Sequence, residues 1–179
     1  MTLAVTVPPL ADLRLIPYLT VTGLVDTSPT GQIGVYAIFD QSDQVQYIGF
    51  SRDIYLSLRQ HLVRQPQACY GFKFYAIDRP NRTQLDAIRQ QWLNELGTIP
   101  PGNDTQQGAW ENAIDVKTRM SPAMQQEWAG LDEVGQIKYL KDLARQAEQE
   151  IFQVLEARHV TEPLRFNPKL KENGLLDLK

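Results

Sequence analysis

The sequence predicts an α/β protein, more specifically an α+β sandwich in which a small three-stranded antiparallel sheet is flanked by helices. A strand–turn–strand pattern over 31–51 and a further alternating strand over 71–78, with helical periodicity after each, carry this prediction. Three parts follow along the chain: an N-terminal arm over 1–30, the sheet-containing domain over 31–103, and a helical C-terminal extension over 104–179.

The first two predicted strands form a hairpin. Residues 31–40 and 44–51 are rich in β-branched and aromatic side chains, and Asp40 to Asp43 between them suit a tight turn. In the arm before the hairpin, weak alternation over 18–22 is compatible with an edge strand or with a covering arm.

Two helices enclose the third predicted strand. The first runs over 53–63, where Asp53 is the expected N-cap and apolar residues recur every four positions. The second runs from residue 82 or 83 to residue 96, and Gly97 suits the position just after a helix C-terminus. The element order over 33–97 is therefore strand, strand, helix, strand, helix.

The C-terminal extension contains the longest periodic segment, over 132–159. Its apolar residues are spaced alternately by three and four positions: Ile137, Leu140, Ala144, Ala147, Ile151 and Val154. This seam predicts packing against the rest of the chain, with a short coiled-coil homodimer as the alternative. The same helix is the predicted binding surface for a protein partner.

Composition restricts the possible classes of function. The formal net charge of −3 lowers the expectation of nucleic-acid binding, although a local basic cleft would still permit it. The single Cys69 excludes an intrachain disulfide and is expected to be a small buried residue. No apolar stretch is long enough to span a bilayer and no secretory signal is visible, so a cytoplasmic protein is expected.

Two tripeptides in the predicted hairpin indicate a family. Gly34-Val35-Tyr36 and Tyr47-Ile48-Gly49, together with the element order, resemble the signature and core of the GIY-YIG nucleases. The resemblance implies a cleft in which two tyrosines act with an arginine, a glutamate that holds one divalent metal ion, and often a histidine. In such a site a cation stabilises the charge that builds on the phosphate, and the metal polarises it.

The site that the resemblance implies is incomplete in this sequence. Tyr36, Tyr47 and His61 occupy the tyrosine and histidine positions, but Ser57 stands at the arginine position and Arg89 at the glutamate position. Each retained residue also has a structural interpretation: the tyrosines as cross-strand packing residues and His61 as a surface histidine.

A rearranged site would need substitutes for the missing groups. Arg52 or Arg59 would supply the cation and bind nucleic acid, and Asp86 would hold Mg²⁺ or Mn²⁺. Without such a rearrangement no cofactor is expected.

Losing both the charge-stabilising arginine and the metal ligand removes the groups that the chemistry needs most. The sequence therefore favours a non-catalytic interaction or assembly module with an eroded GIY-YIG site. The alternative is a metal-dependent endonuclease with a rearranged site, which would cleave DNA or RNA. Trp110 and Trp128 are interpreted as anchors on a partner surface or as packing for the tail helix.

Overall fold

The computed structural model describes residues 6–179, so the first five residues of the predicted N-terminal arm lie outside the described residues. The chain divides into two compact units, which we call unit 1 (residues 1–110) and unit 2 (residues 111–179). The three-part division at 30/31 and 103/104 stays a prediction.

Unit 1 is built on an antiparallel sheet of four strands, in the order β1-β4-β2-β3. Its strands are β1 (Ile16–Pro17), β2 (Ile33–Phe39), β3 (Val45–Ser51) and β4 (Gly71–Ile77). The α+β fold class is confirmed, with one addition. The arm supplies a short fourth strand, which pairs with the start of β4 and lies just before the alternating residues 18–22.

Two helices cover the two faces of this sheet, α1 (Ile54–Arg64) and α2 (Arg82–Leu96). The side chain of Asp53 caps α1 by accepting from the backbone N–H of Leu56. Gly97 ends α2 in the left-handed conformation, with φ of 69°. Both helix ends therefore lie where their capping residues predict them.

Alternation along β2 divides the core of unit 1 between the two faces. Val35, Ala37 and Phe39 face α2, where they pack with Trp92 and other apolar residues. The alternate residues of β2 face α1, because successive side chains of a strand point to opposite faces. Since both faces are covered, β2 is buried along almost its whole length.

Unit 2 is mainly helical. Its helices are α4 (Pro122–Ala129) and α5 (Glu133–Ala157); the short α3 (Gln107–Glu111) spans the boundary between the units, and β5 (Ile114–Asp115) pairs with β6 (Leu175–Leu176). The predicted helix over 132–159 is thus confirmed as α5. Most of its apolar seam is buried, from Leu140 to Ile151, whereas Ile137 near the start is exposed.

No helix within residues 6–179 combines the length and the apolar character needed to cross a membrane.

Candidate functional site

Four aromatic side chains meet in the interior of unit 1, and we call them the aromatic cluster: Tyr36, Tyr47, His61 and Trp110. The hydroxyl of Tyr36 lies 2.8 Å from Nε2 of His61. The ring of Tyr47 lies 4.8 Å from that of His61 and stacks on the indole of Trp110, with centroids 5.4 Å apart and planes within 9°. Tyr36, Tyr47 and His61 are the predicted site residues, and the structure brings them together.

The hairpin positions the two tyrosines. Tyr36 pairs with Gly49 across β2 and β3, and Tyr47 pairs with Ile38, so the two rings lie on the same face of the sheet. A methyl group at Gly49 would lie 2.5 Å from Cε1 of Tyr47. Glycine is therefore required here because the tyrosine ring folds back over its own strand.

His61 enters the aromatic cluster from α1 and is buried, which corrects its interpretation as a surface histidine. Only 3% of its side chain is exposed. Burial, followed by the nearby Arg64 charge, lowers the pKa of His61 from 6.5 to about 3, and a contact with the Trp110 backbone acts in the opposite direction. The imidazole is consequently neutral at physiological pH.

Trp110 closes the aromatic cluster from solvent, a role that the sequence did not reveal. The side chain is 1% exposed. Nη1 of Arg64 donates to its carbonyl oxygen over 3.0 Å. Its own indole N–H is buried and has no hydrogen-bond acceptor among the described residues. The interpretation of Trp110 as an exposed anchor for a partner is therefore corrected, and its role in packing the tail helix stays a prediction.

Asn103 fixes the segment that leads to Trp110. Its side chain accepts from the backbone N–H of Ile48 and donates to the Ile48 carbonyl, both over 2.7 Å. Because β3 is an edge strand of the sheet, these two bonds also satisfy backbone groups that would otherwise be open to another strand.

Ser57 and Arg89, which stand at the arginine and glutamate positions of the predicted site, make contacts with nearby residues. The hydroxyl of Ser57 donates to Oγ of Ser51 over 2.8 Å. Arg89 forms an ion pair with Asp86 over 2.6 Å and lies over the ring of Phe50. Asp86, the predicted metal ligand, is thus engaged by a cation on its own helix.

The two predicted cations of a rearranged site also lie on or near α1. Arg52 is exposed just before the helix starts. The guanidinium of Arg59 lies 5.9 Å from the ring centroid of Tyr55. Their predicted role in binding nucleic acid stays a prediction, as does metal binding by Asp86. Within residues 6–179, no three His, Cys, Asp or Glu side chains are grouped so that they could hold a metal ion.

Cys69 lies between α1 and β4 and is fully buried, as the sequence predicts. Thiol–disulfide exchange requires a thiolate that another sulfur atom can approach. In the folded chain, Cys69 does not meet this condition.

A known protein is similar to part of this chain. No protein-family model matches the chain. The chain is 35% identical over 82 residues to a protein of Arabidopsis thaliana named bifunctional monothiol glutaredoxin-S16, chloroplastic. The match covers 44% of this chain but only 28% of the relative. Since the aligned stretch is longer than unit 2, it includes part of unit 1.

This comparison corrects the interpretation of the sequence as a GIY-YIG nuclease, because the relative bears the name of a glutaredoxin. Both functions derived from that resemblance are contradicted: the eroded nuclease acting as an interaction module, and the rearranged metal-dependent endonuclease. The site geometry offers the physical reason. Ser57 supplies no cation at the arginine position, Arg89 supplies no carboxylate at the glutamate position, and Trp110 stacks on Tyr47.

Proposed function

We propose that this chain works in thiol redox chemistry as an accessory domain that binds a glutaredoxin-type protein, and that it does not itself carry the reactive thiol. The observation that carries this proposal is the combination of a partial match to a bifunctional monothiol glutaredoxin with a single, fully buried cysteine. The chain spans about a quarter of that relative's length, so it corresponds to one part of a protein whose name states two functions.

The location of Cys69 argues against direct thiol catalysis. Reactive cysteines lie in partially exposed, electropositive surroundings, whereas buried structural cysteines are inert. Cys69 has no exposed surface, and it follows α1 in a segment that leads directly into β4. Exposing its sulfur would require the adjoining part of the sheet to open.

The aromatic cluster argues against acid–base catalysis on an external substrate. Its most polar groups, the Tyr36 hydroxyl and the His61 imidazole, are bonded to one another and enclosed. A general acid or base must come within hydrogen-bond reach of its substrate. Because this pair is closed off, the proposal assigns unit 1 a binding role and not a catalytic one.

The proposal is tested with a purified monothiol glutaredoxin as the probe. Binding to the full chain is measured by isothermal titration calorimetry, and the glutathione-dependent disulfide reduction of the glutaredoxin is measured with and without the chain. We expect saturable binding and a rate that changes with the amount of chain added. The chain alone should show no disulfide reduction.

Cys69→Ser provides the matched variant for this test. If the proposal holds, Cys69→Ser binds the glutaredoxin as the unaltered chain does, because the thiol plays no part. Two results would contradict the proposal: the absence of both binding and any rate change, or disulfide reduction by the chain alone that disappears in Cys69→Ser.

A further inference from the structure

Unit 2 contains a cavity lined largely by basic side chains, which we call the basic cavity. It has a volume of about 240 Å³ and lies between α5 and the short 3-10 helix Leu170–Asn173. Its lining residues are Lys141, Arg145, Pro168, Lys169, Lys171 and Glu172. Four cationic side chains therefore converge on one opening, in a chain whose formal net charge is −3.

Three of these cations already have acidic neighbours. Lys141 pairs with Glu172 over 2.9 Å, Arg145 pairs with Asp142 over 3.2 Å, and Lys171 pairs with Glu148 over 2.5 Å. In the part of the chain that the structure describes, the ammonium group of Lys169 makes no ion pair. The basic cavity thus retains one uncompensated positive charge.

The ion pairs differ in how firmly they are held. The Lys171 and Glu148 side chains are 16% and 21% exposed, so this pair ties the 3-10 helix to α5. Arg145 and Asp142 are 63% and 57% exposed, and Lys141 and Glu172 are 33% and 52% exposed. Exposed pairs of this kind contribute little to stability and exchange readily for other partners. Arg145 and Lys141 are therefore available to a competing anion.

We infer that the basic cavity binds a small anion that carries phosphate groups. Charge-assisted hydrogen bonds from lysine and arginine to phosphate oxygens are among the stronger polar contacts, and arginine can form two at once. The volume is smaller than the range usual for drug-sized ligands, which restricts the occupant to a compact molecule. In this geometry, Lys169 and Arg145 hold the anion, and Glu172 opposes it by occupying Lys141.

The test uses the full chain and pyrophosphate as the probe, titrated by calorimetry at constant ionic strength. Inorganic phosphate and the dicarboxylate malonate are titrated beside it. We expect pyrophosphate to bind in a saturable manner and more tightly than malonate. Lys169→Ala and Arg145→Ala should each weaken binding about ten-fold, because each removes one charge-assisted contact.

Two further variants separate a binding site from a purely structural set of ion pairs. Lys138→Ala removes an exposed lysine from the same helix that does not line the basic cavity, so binding should change less than about two-fold. Glu172→Gln should tighten binding several-fold, because it frees Lys141 and removes a negative charge from the lining. A merely structural role of the pairs predicts no such gain.

Three results would overturn the inference. The first is the absence of saturable pyrophosphate binding by the full chain. The second is equal weakening by Lys169→Ala and Lys138→Ala, which would indicate general attraction to a basic surface. The third is binding of malonate as tight as that of pyrophosphate, which would show that the phosphate group is not recognised.

Discussion

The aromatic cluster of unit 1 and the basic cavity of unit 2 treat polar groups in opposite ways. In the cluster, Tyr36 and His61 are enclosed and hydrogen-bonded to each other, and burial keeps the His61 imidazole neutral at physiological pH. In the basic cavity, lysine and arginine side chains are partly exposed, and their exposed ion pairs can exchange. The polar groups of the aromatic cluster therefore stabilise the fold, whereas those of the basic cavity are accessible to a ligand.

This contrast also predicts where substitutions cost stability. Buried polar and aromatic groups have no alternative partners, so their loss is expensive. Exposed ion pairs are replaced by water at little cost. Free energies of unfolding should therefore respond strongly in unit 1 and weakly in unit 2, and the following predictions sharpen or break that comparison.

The largest effect is expected at Trp110. Trp110→Ala removes the cover of the aromatic cluster and should lower the free energy of unfolding by about 3–5 kcal/mol, because it leaves a cavity against Tyr47. Urea unfolding followed by circular dichroism measures this loss. Trp110→Phe retains an aromatic ring and should cost much less, since it also removes the unsatisfied indole N–H.

Trp128→Ala is the matched control in unit 2, where the tryptophan is only half-buried. It should cost clearly less than Trp110→Ala. Equal losses for the two tryptophan variants would show that Trp110 is not a special cover for the cluster.

The next effect is a dependence of stability on pH that His61 should dominate between pH 5 and 7. Its pKa is about 3 in the folded chain and 6.5 without burial, so the unfolded chain takes up the extra proton first as pH falls. Stability is therefore highest above pH 6.5 and decreases as pH falls toward 3. Between pH 7 and pH 5 the expected loss is about 2 kcal/mol.

Denaturant unfolding at several pH values checks this slope. In His61→Gln the free energy of unfolding should depend much less on pH. In His159→Gln, which alters the other histidine, the pH dependence should be unchanged. A slope that persists in His61→Gln would assign the pH dependence to other groups.

A smaller effect is expected from the hydroxyl of Tyr36. Tyr36→Phe removes the partner of His61 Nε2 while keeping the ring, and should cost about 1–2 kcal/mol. Tyr75→Phe serves as the control, because Tyr75 lies on a neighbouring strand and packs on the other core. Equal midpoints of thermal unfolding for the two variants would show that the hydrogen bond between Tyr36 and His61 does not stabilise the fold.

The smallest effect is expected at an exposed ion pair of unit 2, between Arg145 and Asp142. Arg145→Met removes the contact with Asp142 while keeping an unbranched side chain, so the free energy of unfolding should fall by about 1 kcal/mol or less. Urea unfolding would detect a larger loss, and a loss comparable with that of Trp110→Ala would abolish the contrast between the two units.

Much of the fold of unit 1 follows from local sequence signals. Alternation identified β2, β3 and β4, and the capping residues Asp53 and Gly97 located helix ends to within a residue or two. The two-residue β1 is too short for alternation to identify, because it is defined only by pairing with β4.

The sequence predicted the two candidate sites less well than it predicted the fold. The tripeptides singled out Tyr36 and Tyr47, but Trp110 joins them from a distant segment, and no spacing rule predicts that contact. The basic cavity likewise forms because the 3-10 helix Leu170–Asn173 lies beside α5, and the sequence does not predict this contact. The family assignment was contradicted because two short motifs constrain local strand geometry more strongly than they constrain function.

The most direct test of the proposed function is the accessibility of Cys69 in the native chain. The rate of alkylation by iodoacetamide is measured by mass spectrometry under native conditions and again in urea. If the chain is an accessory without a reactive thiol, native alkylation should be at least about 10³-fold slower, because it needs local opening of the fold. Equal rates in the two conditions would mean that Cys69 is available for thiol chemistry, and would contradict the account.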